Sequence, residues 1–186
     1  MEKKRQGKTK RRQYLNDFTQ TVGGEYVYTG GFLRPAAEPE RWAKWRRRLS
    51  ALAAAAAAFV LGAGLLPAAG SAGCAYVALP FLALILCSFV KAWTTARLLL
   101  AGQAVREYVY EKTVAGLPGW IVAEAVSAAA VLAGECVYLL VRGFEGREAA
   151  SIGFLVLTAL VAAADLLTLR HFRKMSWSAD NPERKT

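Results

Sequence analysis

Four stretches of this sequence exclude every Lys and Arg while running long enough to cross a bilayer, and that exclusion constrains the fold more than any motif does. They cover residues 49–66, about 74–90, 120–141 and about 150–169. Roughly 20 apolar residues, rising about 1.5 Å each, span the hydrocarbon core. Backbone amides find no water there, so each stretch must close its own hydrogen bonds as a helix. Ala, Val, Ile, Leu, Met, Phe, Trp, Tyr and Cys make up 55% of the chain, with all but three of the charges outside the four blocks. A soluble domain and a disordered chain are both excluded by that segregation. The expected fold is an all-α integral membrane protein, a four-helix transmembrane bundle over residues 49–170. A short basic cytoplasmic segment, 1–48, precedes it, and a tail, 171–186, follows. The second span is expected to continue as a cytoplasmic helix to about residue 110, because Trp93, Ala96, Leu100 and Ala104 recur at helical spacing.

The net charge of +10 is distributed unevenly. Residues 1–48 carry 13 Lys and Arg, residues 91–118 carry four, and the chain from Arg170 onward carries five; the other two connections carry none and two. The positive-inside bias therefore predicts a multi-pass protein of the cell (cytoplasmic) membrane with both termini and the middle loop in the cytoplasm. Trp42, Trp45, Trp93, Trp120 and Trp177 all fall at or beyond the same ends of the spans. Ser71-Ala72-Gly73-Cys74 after an arginine-flanked apolar run resembles a lipoprotein cleavage box. A cleaved leader is nevertheless not expected, since it would be unusually long and another span follows at once.

Within the basic segment, residues 1–13 hold seven positive charges and almost nothing apolar, so disorder is expected. No aromatic residue interleaves the run, which turns the reading away from nucleic acid and towards anionic lipid headgroups. Gly23-Gly24 between β-prone residues predicts a hairpin over 21–31, with Tyr26 and Tyr28 on one strand face. Residues 41–48 are expected to lie along the membrane surface. Arg41, Trp42, Lys44, Trp45, Arg46, Arg47 and Arg48 are the candidate headgroup contacts. The first span is alanine-rich, and Ala54, Ala58 and Gly62 at four-residue spacing predict a smooth ridge for helix packing.

Three acids remain inside the spans: Glu124, Glu135 and Asp165. An acid at the centre of a membrane helix costs about 2.5–3.5 kcal/mol even on insertion scales, so such residues face a bundle interior and are paired or functional. Glu124 and Glu135 are 11 positions apart, three helical turns with only about 20° of drift, and therefore share one face. Ser151, Thr158 and Asp165 recur every seven residues on the fourth span, and Cys87 and Ser88 lead to Lys91 on the second. Depth brings Lys91, Glu124 and Asp165 to a similar level near the basic end, which predicts a buried polar cluster of those three. Glu135 lies towards the other end without a basic partner in a span.

The sequence points away from enzyme chemistry. Cys74, Cys87 and Cys136 contain no Cys-x-x-Cys pair, His171 is the only histidine, and no Walker-type phosphate loop is present. No metal site and no cofactor are expected. The leading expectation is a non-enzymatic membrane component that binds a lipid, or a membrane or cytoplasmic protein partner, through its basic face. The alternative is a small, homo-oligomeric ion- or proton-coupled transporter or channel, with Glu124, Glu135 and Asp165 as successive carboxylates along its path.

Overall fold

The computed structural model describes residues 18–20, 23–28, 30–102 and 104–180. The basic stretch 1–13, where disorder is expected, lies outside the described residues, as do Thr21, Val22 and residues 181–186 of the tail.

The chain is mostly helical. Pro39 opens α1 (Pro39–Gly64) where its missing N–H costs nothing, and Glu40 places negative charge in the first turn. Pro67 disfavours helical geometry at Leu66, and the helix stops just before it. The short α2 (Ala69–Gly73) turns the chain into α3 (Ala75–Leu100). A single turn, α4 (Glu107–Val109), runs on as a π-helical turn over Tyr110–Val114, and α5 (Leu117–Arg142) and α6 (Glu148–Phe172) follow. Helices α1, α3, α5 and α6 are long and apolar enough to cross a membrane. Helix α1 packs on α3 and α6, and α5 also packs on α3 and α6, so the four close a ring in the order α1, α3, α5, α6. Neighbours in that ring run antiparallel. Helix α2 plugs one end of the ring, against α3, α5 and α6.

The bundle is inside out relative to a soluble one. Leu61, Leu79, Leu86, Phe89, Val126 and Leu166 are exposed on its outside, whereas its interior mixes small, apolar and polar residues. Such an outer surface finds its solvent in lipid tails. The alanine ridge is placed differently from expectation. Ala54 and Ala58 are exposed, and Ala53, Ala56, Val60 and Ala63 face inwards instead. Trp42, Trp45 and Leu49 set that register lower on the same helix, because their large faces are the ones worth burying. Gly62 does approach α6: a Cβ built there would lie 3.2 Å from Leu157 Cδ1.

Two small sheets at the basic end correct the all-α expectation. β1 (Phe18–Gln20) pairs antiparallel with β2 (Tyr26–Tyr28), Gln20 opposite Tyr26, so five residues of sequence separate the paired strands where a Gly-Gly turn would leave two. A type I′ turn requires positive φ at both central residues, and only Gly24 has it. β3 (Phe32–Pro35) is the centre of a second sheet, flanked by β4 (Val105–Arg106) and β5 (Trp177–Asp180), both antiparallel to it. This sheet ties the N-terminal segment, the middle connection and the tail together at one end of the bundle.

The expected helical extension to about residue 110 ends at Leu100, and Gly102, with φ +76°, reverses the chain into β4. The stripe that suggested the extension points outwards, with Trp93, Ala96 and Leu100 all exposed. The face turned inwards is Lys91, Thr95 and Leu98.

Candidate functional site

Three of the four long helices carry polar residues on the buried face and bring them to one point. Lys91 of α3, Glu124 of α5 and Asp165 of α6 are all at most 1% exposed. Lys91 Nζ lies 2.6 Å from Glu124 Oε2 and 2.6 Å from Asp165 Oδ1. The Asp165 contact has hydrogen-bond geometry, while Glu124 is held by charge without that alignment. Glu124 Oε1 and Asp165 Oδ2 are buried with no hydrogen-bond partner. Helix α1 contributes no polar atom, since its inward face along the span is Leu49, Ala53, Ala56, Val60 and Ala63. The layer thus holds two carboxylates and one ammonium. Breaking a pair this deeply buried costs about 3–5 kcal/mol, because the abandoned charge has no solvent to turn to.

Glu135, also fully buried, stands on the same face of α5, about 16 Å further along the axis. It meets backbone instead of a cation. Its Oε1 accepts a hydrogen bond from the Gly70 N–H at 3.2 Å, and Ser151 Oγ of α6 accepts one from the Ala69 N–H at 3.0 Å. Helices α5 and α6 therefore cap the N-terminus of α2 from outside it, supplying acceptors that α2 lacks in its own sequence. Gly70 is required by this approach, since a Cβ there would overlap Glu135 Oε2 and lie 3.1 Å from Tyr138 Cγ. No basic side chain pairs with Glu135 among the described residues.

An apolar layer separates the two sites. Leu84, Val131, Phe154 and Val161 form its core, packed with Val60, Val77 and Ala128. Apart from Ser151, the hydroxyls that align with the acids in sequence close onto their own helices. Thr158 donates to the Phe154 carbonyl at 2.8 Å, Thr168 to Ala164 at 2.6 Å, and Ser127 to Ala123 at 2.9 Å. None of these three hydroxyls bridges Glu124 to Glu135. Cys74, Cys87 and Cys136 are all free thiols.

At the basic end the expected headgroup contacts divide into two groups. Arg41, Lys44, Arg47 and Arg48 are exposed. Trp42 and Trp45 are only 2% and 4% exposed, which removes both from the membrane surface. Their rings stack at 5.0 Å, Trp177 of β5 meets Trp42 edge-on at 5.7 Å, and Tyr110 packs on Trp177 at 5.3 Å. The small sheet and the π-helical turn give the tryptophans a covered apolar site, and burial of so much aromatic surface outweighs an interfacial position. The Trp45 indole N–H donates to the His171 carbonyl at 3.3 Å. In return, His171 Nε2 lies 3.2 Å from the Trp45 carbonyl oxygen. That oxygen only accepts, so Nε2 carries the proton. Arg46 is half-buried, donating to the Leu99 carbonyl with its guanidinium 5.9 Å over the Trp42 ring.

Sequence reasoning misses Gly70 and the inward role of His171, and it places Ser151 and Trp177 without finding the α2 amide and the tryptophan pair that they meet. The only local signal was Trp42-x-x-Trp45, a spacing that puts both rings on one helix face. No protein-family model matches the chain, and no curated protein or solved structure matches it either, so the functional argument rests on these residues alone.

Proposed function

We propose that this chain is a non-enzymatic, four-span component of the cell membrane, with both termini cytoplasmic, that holds anionic lipid headgroups against its basic end. One observation carries the reading. Arg41, Lys44, Arg47 and Arg48 are exposed on a helix whose opposite face is anchored by Trp42 and Trp45 in a covered aromatic core. Cations fixed in this way meet headgroups without the ordering cost that a disordered basic tail carries. Each basic residue near an anionic surface contributes about 1 kcal/mol. The direction of insertion follows from 22 of 24 Lys and Arg lying at the same end of the spans.

A second reading, a small proton- or ion-coupled transporter, draws on the Lys91 layer, where two carboxylates face one ammonium and leave room for one more positive charge. The self-closed hydroxyls and the apolar layer between Glu124 and Glu135 favour the first reading.

The test reconstitutes the full-length protein in nanodiscs of phosphatidylcholine with increasing phosphatidylglycerol. Thermal stability should rise with the anionic fraction, and the gain should shrink as salt is added. Stability independent of lipid charge would overturn the proposal. Insertion is checked by labelling intact cells with an impermeant maleimide. With Cys74, Cys87 and Cys136 replaced by Ala, Glu145→Cys should label directly, and Ser178→Cys only after permeabilisation. Flux in proteoliposomes that Glu124→Gln abolishes would establish the transport reading instead.

A further inference from the structure

The exposed cations of α1 are not equivalent. Arg41, Lys44 and Arg48 follow one another at three- and four-residue spacing and so share a face, whereas Arg47 points elsewhere. That face lines a groove of about 550 Å³ between α1 and the chain leaving α6, with Glu38, His171 and Lys174 also on its walls. Because α6 runs antiparallel to α1 and His171 stacks on Trp45 at 5.7 Å, Lys174, three residues on, comes alongside Arg41 and Lys44. Four cations thus face one acid, and Glu38 already lies 3.8 Å from Arg41. Arg47 lines a different hollow, with Arg46, Ser50 and Leu99.

We infer that this groove is a specific site for a membrane lipid whose headgroup carries two phosphates, an inference that rests on the lipid-binding function proposed above. Charge argues for two phosphates. Arg41, Lys44, Arg48 and Lys174 against the single acid Glu38 leave three positive charges along the groove, more than one phosphodiester neutralises. Position argues for a lipid rather than a soluble anion. The groove begins at Arg48 and His171, where the apolar parts of α1 and α6 end, and one turn deeper on those faces stand Leu52 and Leu167, the latter 55% exposed. Acyl chains leaving the headgroup at this level meet apolar side chains, while its phosphates meet Arg41, Lys44, Arg48 and Lys174. The groove walls are fixed in place by the reciprocal Trp45–His171 hydrogen bonds and by the Ala36 N–H donating to the Ser176 carbonyl at 2.9 Å. A preformed wall of this kind separates a site from a diffuse positive surface.

The experiment titrates the purified full-length protein in mild detergent with phosphatidylglycerol, cardiolipin and inorganic diphosphate, reading the thermal shift. Cardiolipin carries two phosphates and phosphatidylglycerol one, so half-saturation should come at roughly ten-fold lower cardiolipin, about the gain expected from engaging one or two further cations. The double variant Lys44→Gln/Lys174→Gln should lose that preference, Arg47→Gln should keep it, and Lys44→Arg/Lys174→Arg should restore it. All these positions are exposed, so folding does not confound the comparison. Equal losses in the double variant and Arg47→Gln would overturn the groove and leave the general reading standing. Inorganic diphosphate binding as tightly as cardiolipin would overturn the lipid assignment. No response to either lipid would overturn the groove and the proposed function together.

Discussion

Glu124 and Glu135 are the same residue on the same face of the same helix, both fully buried, yet different physics holds each of them. Glu124 sits in a layer governed by charge, with Lys91 between it and Asp165 at 2.6 Å on either side. Glu135 sits in a layer governed by backbone, accepting from the Gly70 N–H at the start of a five-residue helix. The first layer joins three long helices, and the second fastens the connection between two of them. A buried acid in a membrane bundle is thus not a role in itself. Its role is set by what the neighbouring helix lacks: a counter-charge at one end, a cap at the other.

The sharpest way to break the comparison is to remove the shared cation. Lys91→Met leaves two carboxylates buried with no counter-ion, and unfolding in detergent should show a loss of about 3–5 kcal/mol. Adding Glu124→Gln and Asp165→Asn removes the charges it strands and should recover most of that loss. A single Lys91→Met variant as stable as the parent would show that charge does not hold the layer. No cation pairs with Glu135 among the described residues, so the matching test there is steric. Gly70→Ala pushes a methyl group into the Glu135 carboxylate and the Tyr138 ring, which should cost about 1–3 kcal/mol as overpacking does elsewhere. Glu135→Ala in the same chain should relieve part of it, and a double-mutant cycle reads the coupling. Additivity of the two changes would separate Gly70 from Glu135.

The two layers also differ in how far the sequence revealed them. Helical period and depth from the charged ends were enough to bring Lys91, Glu124 and Asp165 together, because each of the three helices is long and its register is fixed by where its charges stop. Those same rules gave the four spans. They failed at Glu135, whose partner is a backbone amide on a helix of five residues, with no side-chain signature to read. The basic end was hidden for a related reason. β3, β4 and β5 are two to four residues long and meet across separations of about 70 residues (β3 with β4) and about 145 residues (β3 with β5), so no local alternation marks them. Without that sheet, Trp42 and Trp45 read as interfacial anchors; with it, they have something to be buried under. The outward stripe of Trp93 and Leu100 misled for the opposite reason: in lipid the large apolar face of a helix marks its outside.

The smallest expected effect is the most informative about Glu135. Glu135→Gln replaces the carboxyl group with a neutral amide and keeps a carbonyl oxygen where Oε1 stands, so the Gly70 N–H retains its acceptor. If the residue acts as a cap, the substitution should change stability by less than about 1 kcal/mol, because one acceptor oxygen takes the place of another. Glu135→Ala, which deletes the acceptor and leaves a void beside α2, should cost more, about 1–3 kcal/mol. Hydrogen exchange at the Gly70 amide supplies the second reading, since protection should persist in the Gln variant and fall in the Ala variant. The reverse order, with Gln as damaging as Ala, would mean that the negative charge itself matters at this end. The two layers would then be governed by the same electrostatics, and the distinction between Glu124 and Glu135 would collapse.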